Sequence, residues 1–145
     1  MKPTLKNQLD AFAQACRDKD LRLTPQRLEI FKELARATDH PTAEILHQRL
    51  MQGMPTLSLD TVYRTLGTFA NLNLINRVET SESQAHFEVS HVQHHHLICR
   101  ECKEIIDFHW QYIDDASLPE EVHSWGRIDR KNIVVYGTCH KCLKS

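Results

Sequence analysis

The stretch that decides the fold reads HFEVSHVQHHHLICRECKEIIDF, residues 86–108. It gathers imidazoles, flanking carboxylates and a Cys-x-x-Cys pair into one short segment, and a second pair, CHKC, follows at residues 139–142. An apolar core does not call for this composition, since carboxylates are rarely fully buried unless they are paired. The segment therefore predicts metal chemistry, and the rest of the chain is interpreted around it.

The thiols predict a closed structural zinc site. Two x-x-spaced pairs are typical of tetrahedral zinc, because each pair forms a tight turn whose sulfurs bind one ion at about 2.3 Å. Two disulfides or four unrelated buried thiols are the alternative, but nothing upstream is typical of secretion and cytosolic proteins keep thiols reduced. Residues 103–138 exceed the spacing of a compact zinc ribbon, so strands and a helix must fill that loop. The predicted zinc ligands are Cys99, Cys102, Cys139 and Cys142.

The imidazoles and carboxylates predict a second, exchangeable site. Side chains alternate along an extended segment, so His94 and His96 share one face while His95 points to the other. Glu88 and Asp107 lie on neighbouring segments of strand-like composition, from which they could reach the same face. Nitrogen and oxygen ligands without thiolate favour iron, manganese or zinc over copper(I). A solvated histidine tract is the alternative interpretation.

Composition places few limits on the class of protein. The chain has 145 residues, of which 41% are apolar and 26% charged, so it is long enough for one core or two small domains of a soluble protein. No apolar run approaches the roughly 18 residues of a membrane span, and the polar amino-terminal segment is unlike a signal peptide. We therefore expect a cytoplasmic protein without membrane contact.

Charge is distributed unevenly, although the formal net charge is only −1. Residues 1–80 contain 11 Lys and Arg against 9 Asp and Glu, whereas residues 81–145 contain 7 against 10. The half without the metal-ligand cluster is therefore the one suited to approach phosphates.

The first half of the chain predicts four helices. Apolar residues recur at helical spacing over residues 5–19, with Cys16 on the apolar stripe as a buried small side chain. Further helices are predicted to begin at Thr24-Pro25, at Thr42 and at Ser58, since hydroxyl side chains cap helices and proline is tolerated at the first helical position. The third and fourth helices, joined by a short turn, predict a helix-turn-helix.

The fourth helix has an exposed face suited to DNA. A cation for phosphate, an aromatic ring and hydroxyls that can touch base edges are the side chains expected in the major groove. The predicted face consists of Thr61, Tyr63, Arg64, Thr65 and Thr68. An ordinary solvated helix face is the alternative.

The remaining elements predict an α+β protein. Strands over residues 74–79 and 85–89, around a turn at 80–83, form the wing of a winged helix. Beyond the first Cys pair we expect a strand over 104–110, a helix over 117–125 and a strand over 133–136. The predicted domains are a winged helix-turn-helix DNA-binding domain, residues 1–90, and a small α/β domain with the four-cysteine zinc site, residues 91–145.

Five motifs in this order resemble the ferric uptake regulator (Fur) family of metal-dependent repressors, over nearly the whole chain. They are LRLTPQR at 21–27, HPTA at 40–43, SLDTVYRTL at 58–66, HHHLICREC at 94–102 and YGTCHKC at 136–142. The resemblance implies that the carboxyl-terminal domain dimerises and that the homodimer binds palindromic double-stranded operators. It also implies DNA contacts by Arg22, Tyr63 and Arg64.

The resemblance further implies a regulatory site for Fe(II) or Mn(II). Its ligands would be His40, Glu88, His94, His96 and Asp107. Because His40 comes from the DNA-binding half, bound metal would link the two halves and fix the spacing of the recognition helices. The position that matches the distant histidine of a further metal site is Lys131, so His95 is not expected to complete a third site.

Asp107 makes the chain most like the peroxide-sensing PerR branch of this family. An aspartate there leaves ferrous iron an open position for peroxide, and His40 and His94 match the histidines that are oxidised in that branch. Glu88 instead resembles the iron-sensing branch. The prediction is a peroxide-sensing repressor that is not an enzyme, with an iron-responsive or other metal-uptake regulator as the alternative. A zinc-dependent hydrolase and a zinc-stabilised protein-interaction module are more distant alternatives.

Overall fold

The computed structural model describes residues 3–80, 84–89 and 93–144, which divide into two compact units, Met1–His91 and Val92–Ser145. The predicted domain boundary between residues 90 and 91 and most of the predicted wing turn, residues 81–83, lie outside the described residues. The first unit contains α1 (Leu5–Asp18), α2 (Pro25–Arg36), α3 (Ala43–Leu50), α4 (Leu59–Asn71), β1 (Asn76–Val78) and β2 (His86–Glu88). The second contains β3 (His95–Cys99), β4 (Ile105–Phe108), α5 (Gln111–Asp115), α6 (Glu120–Trp125), β5 (Val134–Gly137) and α7 (His140–Leu143).

Hydroxyl caps start all four helices of the first unit. In each case a side-chain oxygen accepts a hydrogen bond from the backbone N–H three residues later, at 3.1–3.2 Å. This satisfies one of the donors that a helix leaves unpaired at its first turn. The capping residues are Thr4, Thr24, Thr42 and Ser58. The helix starts predicted at Thr24, Thr42 and Ser58 are thus confirmed.

Two helices end in left-handed residues that are not glycine. Asp20 (φ 56°) follows α1 and Asn73 (φ 60°) follows α4. After each, the next N–H donates back across the last turn, from Leu21 to the Cys16 carbonyl and from Leu74 to the Phe69 carbonyl, both at 2.8 Å. Asp and Asn tolerate this conformation better than other side chains. The chain can therefore turn sharply back onto the core.

The core of the first unit is built around three phenylalanines. Phe12 stacks on Phe31 with ring centroids 3.7 Å apart, and Phe69 meets Phe12 edge-on at 5.0 Å. Cys16 is only 1% exposed within the same cluster, so its predicted role as a small buried side chain is confirmed. Because α1, α2 and α4 each contribute a ring, the apolar face of α4 is fixed and its opposite face is left for function.

The wing is a two-stranded antiparallel sheet extended by the segment before α3. Val78 pairs with His86 and Asn76 with Glu88. On the other side of β2, Thr42 forms a bridge with His86 and the Phe87 N–H donates to the Pro41 carbonyl at 2.9 Å. The helix-turn-helix followed by this wing makes the first unit a winged helix, as the sequence predicted.

The second unit is a three-stranded mixed sheet in the order β4-β3-β5. β3 pairs antiparallel with β4 and parallel with β5, and the parallel connection passes through α5 and α6. Three predicted elements, the strand over 104–110, the helix over 117–125 and the strand over 133–136, are present with shifted bounds. The short helices α5 and α7 were not predicted, since a single turn carries little periodic signal. The α+β fold class is confirmed.

Among the described residues, none of the helices has both the length and the apolar composition needed to cross a bilayer.

Candidate metal centres and nucleic-acid interface

The two Cys pairs come together at one end of the mixed sheet. Parallel pairing sets Cys99 opposite Gly137, so the turn after β3 and the segment after β5 leave the sheet side by side. The first pair lies in a tight turn in which the Lys103 N–H donates to the Cys99 carbonyl at 2.9 Å and Lys103 is left-handed (φ 67°). The second pair lies at the start of α7, where the Leu143 N–H donates to the Cys139 carbonyl.

The four sulfurs have the separations of tetrahedral zinc ligands. Cys99 Sγ lies 3.8 Å from Cys142 Sγ, and Cys102 Sγ lies 3.7 Å from Cys139 Sγ. Sulfurs placed about 2.3 Å from one ion at the corners of a tetrahedron are about 3.8 Å apart. A disulfide would need sulfurs about 2.05 Å apart, and all four thiols are free. The residues therefore fit zinc in a closed site.

The protonation chemistry of the cluster also favours a cation. Backbone N–H groups of Cys102 and Cys139 lower the pKa of the Cys99 thiol to about 6. The Cys142 thiol differs: a hydrogen bond to Cys139 and, second, burial raise the pKa of Cys142 to about 12. One thiolate therefore forms readily while a second is opposed by the crowded sulfurs. A central dication removes that conflict, since a coordinating thiol is deprotonated outright.

The first unit brings His40 and Glu88 together. The segment through Pro41 pairs with β2, and the His86 Nδ1–H donates to the His40 carbonyl at 2.6 Å. His40 Nε2 then lies 2.8 Å from Glu88 Oε2. The proline after His40 keeps that residue extended, so a linker histidine reaches the carboxylate at the end of the wing strand. We call His40 and Glu88 the first half-site.

The second unit brings His94, His96 and Asp107 together. His96 lies opposite Asp107 in the β3–β4 pair, and His94 is two residues before His96 in the chain. Asp107 Oδ1 lies 3.4 Å from His96 Nε2 and 3.7 Å from His94 Nε2. Ligand atoms about 2.1 Å from one ion are about 3.0 to 3.4 Å apart for right and tetrahedral angles, so these separations suit a small shift onto a shared ion. We call these three residues the second half-site.

His95 has a different role from its neighbours. Its side chain is fully buried, its Nδ1 accepts the Ile133 N–H at 2.9 Å, and its Nε2 lies 2.8 Å from Asp114 Oδ1. Since Nδ1 accepts, the proton is on Nε2 and is donated to the carboxylate. Both ring nitrogens are thus used to hold β3 against α5 and the segment before β5.

The predicted DNA-contacting residues lie at the surface of the first unit. Tyr63 and Arg64 are exposed on α4, and Arg22 is exposed before α2, with its carbonyl accepting from Arg27 Nη1 at 2.6 Å. Thr61 is half-buried, and its hydroxyl lies 2.8 Å from the capping oxygen of Ser58. Thr65 was wrongly assigned to this face. It is 7% exposed, because one helical turn beyond Thr61 the helix surface already packs against the core.

Two further charged pairs were missed by the sequence interpretation. Asp60 Oδ2 lies 3.0 Å from Arg64 Nε on the exposed face of α4, a pairing that i, i+4 spacing could have indicated. Asp39 accepts two hydrogen bonds from Arg49, at 2.8 and 3.1 Å, and these hold the loop that contains His40 against α3. Ten residues separate this second pair, so no local pattern predicts it.

Comparisons with known proteins agree with this architecture. A model of the ferric uptake regulator family matches residues 18–130. The chain is 31% identical over 140 residues to the peroxide-responsive repressor PerR of Staphylococcus saprophyticus, covering 96% of this chain and 94% of the relative. It is similar to the ferric uptake regulator of Helicobacter pylori, with 27% identity, a TM-score of 0.80 and coverage of 100% and 99%. It is also similar to the ferric uptake regulator of Pseudomonas aeruginosa with manganese, at 26% identity and a TM-score of 0.73. That match covers 88% of this chain and 97% of the other.

A winged helix-turn-helix followed by a small α/β unit with a tetracysteine cluster defines a metal-binding transcription regulator. The chain belongs to the ferric uptake regulator family, because that model matches most of its length. Within the family, similarity to PerR extends over nearly the whole sequence and supports a regulator of the PerR type.

Proposed function

We propose that the chain is a metal-dependent DNA-binding repressor, with structural zinc held by its four clustered cysteines and regulatory Fe(II) or Mn(II) held by the two half-sites. The observation that supports this most is that imidazole and carboxylate pairs are prearranged in both units. The first half-site offers two ligands and the second offers three. Neither is sufficient for an octahedral ion alone, whereas five ligands together leave one position open. We propose that one ion is shared by both.

The proposed switch follows from ligand sharing. Metal that binds both half-sites selects the arrangement of the two units in which His40 and Glu88 face the same ion as His94, His96 and Asp107. If that arrangement spaces two recognition helices to match an operator, metal increases operator affinity and the operator increases metal affinity by the same factor. Repression then requires metal, while zinc remains bound in both states because its site is closed.

We propose residues 1–90 as the DNA-binding domain and residues 91–145 as the dimerisation domain of a cytoplasmic homodimer on a palindromic operator. Dimerisation is supported by three apolar side chains that occupy paired positions on one face of the mixed sheet and are 41–46% exposed. They are Leu97, Ile106 and Val135. They border an apolar groove of about 190 Å³. A unit this small gains stability when a second copy covers such a face.

The test of this function is metal-dependent DNA binding. Operator sequences would be selected from random duplex DNA with Mn(II)-loaded protein, and binding would then be measured by fluorescence anisotropy with and without Mn(II), with zinc content held constant. We expect affinity to fall when Mn(II) is omitted, and His96→Ala to bind as weakly as the metal-free protein. Equal binding in both conditions would contradict the switch.

Salt and mutation controls separate DNA binding from other functions. Log affinity should decrease linearly with log salt, because phosphate contacts release counterions. Arg64→Ala should weaken operator binding without changing Mn(II) affinity. We propose no enzymatic activity for the half-sites; metal-dependent hydrolysis that disappears in His96→Ala would support a zinc-dependent hydrolase instead.

We further propose peroxide sensing rather than iron sensing. Ferrous iron, if bound by these residues, would activate peroxide at the open position. Peroxide would be the two-electron oxidant: its O–O bond would break, one oxygen atom would be inserted into a ring C–H bond of His40 or His94, and the other would leave as water. An oxidised imidazole is a poorer ligand, so metal and DNA are released together. The short Asp107 side chain and the similarity to PerR proteins support this proposal.

Mass spectrometry after brief peroxide exposure tests peroxide sensing. The Fe(II)-loaded protein should gain one oxygen atom on His40 or His94, whereas Mn(II)-loaded protein should remain unmodified. Asp107→Glu is the matched variant, since its longer carboxylate can occupy the open position and should suppress oxidation. Absence of modification in the Fe(II)-loaded wild type, with DNA binding still dependent on metal, would indicate an iron- or manganese-responsive regulator.

A further inference from the structure

We infer that Asp60 determines part of the DNA sequence specificity, by reading base-pair edges together with Arg64. This inference rests on the proposed DNA binding through α4. Asp60 is the second residue of α4, one turn before Arg64, and its Oδ2 lies 3.0 Å from Arg64 Nε. The two side chains are 70% and 81% exposed, so both project from the helix surface.

The position of Asp60 is the one from which recognition helices contact bases. In helix-turn-helix proteins the amino-terminal residues of the recognition helix reach base edges in the major groove. Ser58 caps α4 by accepting the Thr61 N–H at 3.1 Å, which fixes the backbone of the first turn around Asp60. His47 Nε2 donates to the Leu57 carbonyl at 2.7 Å and ties the same turn to α3. The carboxylate is therefore presented from a rigid support.

The ion pair itself adds little to stability, because it is exposed and spaced i, i+4. A carboxylate in the first turn is favourable for any helix and does not require a partner at Arg64. On a surface that approaches DNA, however, Asp60 adds repulsion from phosphates. A hydrogen bond from a base to the carboxylate would offset that repulsion.

The chemistry of the major groove limits what Asp60 can accept. An ionised carboxylate is only a hydrogen-bond acceptor. The major-groove donors are the amino groups of cytosine and adenine, while guanine N7 and O6, adenine N7 and thymine O4 are acceptors that repel it. Asp60 therefore favours cytosine or adenine at the position it faces.

The contact between Asp60 and Arg64 also orients the guanidinium. Because Asp60 Oδ2 lies beside Nε, at 3.0 Å, we expect the terminal nitrogens of Arg64 to be the ones that donate to guanine O6 and N7. The free lone pairs of Asp60 then accept from the amino group of cytosine or adenine. Asp60 and Arg64 together predict a guanine in each half of the DNA operator. The cytosine paired with that guanine, or a neighbouring cytosine or adenine, would donate its amino group to Asp60.

Base preference measured on variants tests this role. Mn(II)-loaded wild type and Asp60→Asn would be compared by selection from random duplex DNA, followed by affinity measurements on single-base variants of the selected site. We expect wild type to discriminate against the wrong base by roughly tenfold or more at the Asp60 position, and Asp60→Asn to lose most of this, since an amide both donates and accepts. Arg64→Lys should reduce the guanine preference at the adjoining position, because an ammonium cannot form the paired contact.

Glu44→Gln is the matched control. Glu44 is the exposed second residue of α3, follows a helix start that is likewise capped by a hydroxyl side chain, and loses the same charge on substitution. It should shift affinity equally for all sequences and leave base preference unchanged. Unaltered base preference in Asp60→Asn, or an equal change in Glu44→Gln, would overturn the role of Asp60 while the proposed function stands. Failure of the metal-loaded wild type to select any DNA would overturn both.

Discussion

Replacing His95 by leucine should destabilise the second unit without weakening regulatory metal binding. The imidazole is fully buried, accepts the Ile133 N–H at 2.9 Å and donates to Asp114 at 2.8 Å. Leucine places an apolar side chain of similar size beside Phe108, whose ring centroid is 5.5 Å from that of His95. The substitution therefore removes two hydrogen bonds and leaves both partners behind.

The magnitude follows from the burial of those partners. A buried group left without its partner costs about 1–3 kcal/mol. The loss of the hydrogen bond from the Ile133 N–H should cost an amount within this range. The Asp114 side chain is 17% exposed, so water can replace part of the hydrogen bonding that it loses. We expect a decrease of about 2–4 kcal/mol in the free energy of unfolding, which is a large part of the roughly 5–15 kcal/mol of a typical domain.

Tryptophan fluorescence during urea unfolding provides the assay. Both tryptophans of the chain, Trp110 and Trp125, lie in the second unit, so their emission follows that unit. Zinc-loaded wild type and His95→Leu would be compared at one protein concentration, with zinc content measured in each. His94→Leu is the matched control, because the neighbouring side chain belongs to the second half-site and should lose Mn(II) affinity with a smaller change in stability.

Unfolding of His95→Leu at the wild-type urea concentration would contradict the structural role of the His95 imidazole. Loss of Mn(II) affinity in this variant to the same extent as in His94→Leu would also contradict it, since His95 would then act as a ligand.

Three further substitutions test other parts of the structure. Cys102→Ser should release zinc and unfold the second unit, because structural zinc contributes about 10–16 kcal/mol in small zinc peptides; elemental analysis and circular dichroism would check this, and retained zinc would argue against the four-sulfur site. Phe69→Ala should lower the free energy of unfolding by about 3–5 kcal/mol, as expected for a ring that is 0% exposed, and a smaller loss in urea unfolding would mean that α4 packs loosely. The hydrogen bond from Arg49 lowers the pKa of Asp39 below 3.8, so the stability that Arg49→Met loses should be constant above about pH 5 and should vanish as the pH falls through the lowered pKa. Urea unfolding at several pH values would show this, and a difference that persisted in strong acid would assign the loss to packing.

The sequence alone determined the features that depend on neighbours within a few residues. Thr24, Thr42 and Ser58 each start a helix because the donor they satisfy is only three positions away. Cys-x-x-Cys spacing fixes two sulfurs in one turn, and alternation along β3 separates His95 from His94 and His96 for the same local reason. The α+β class followed from these local patterns in order.

Tertiary structure decided which of these prepared groups meet. The parallel pairing of β3 with β5 brings together two Cys pairs that lie 37 to 43 residues apart, from Cys102 to Cys139 and from Cys99 to Cys142. His40 reaches Glu88 only because its segment adds to the wing, and His95 becomes structural only because Asp114 and Ile133 arrive at its two nitrogens. Contacts of this kind depend on chain closure over long loops. Their geometry is set by the packing of whole elements, which no short stretch of sequence encodes.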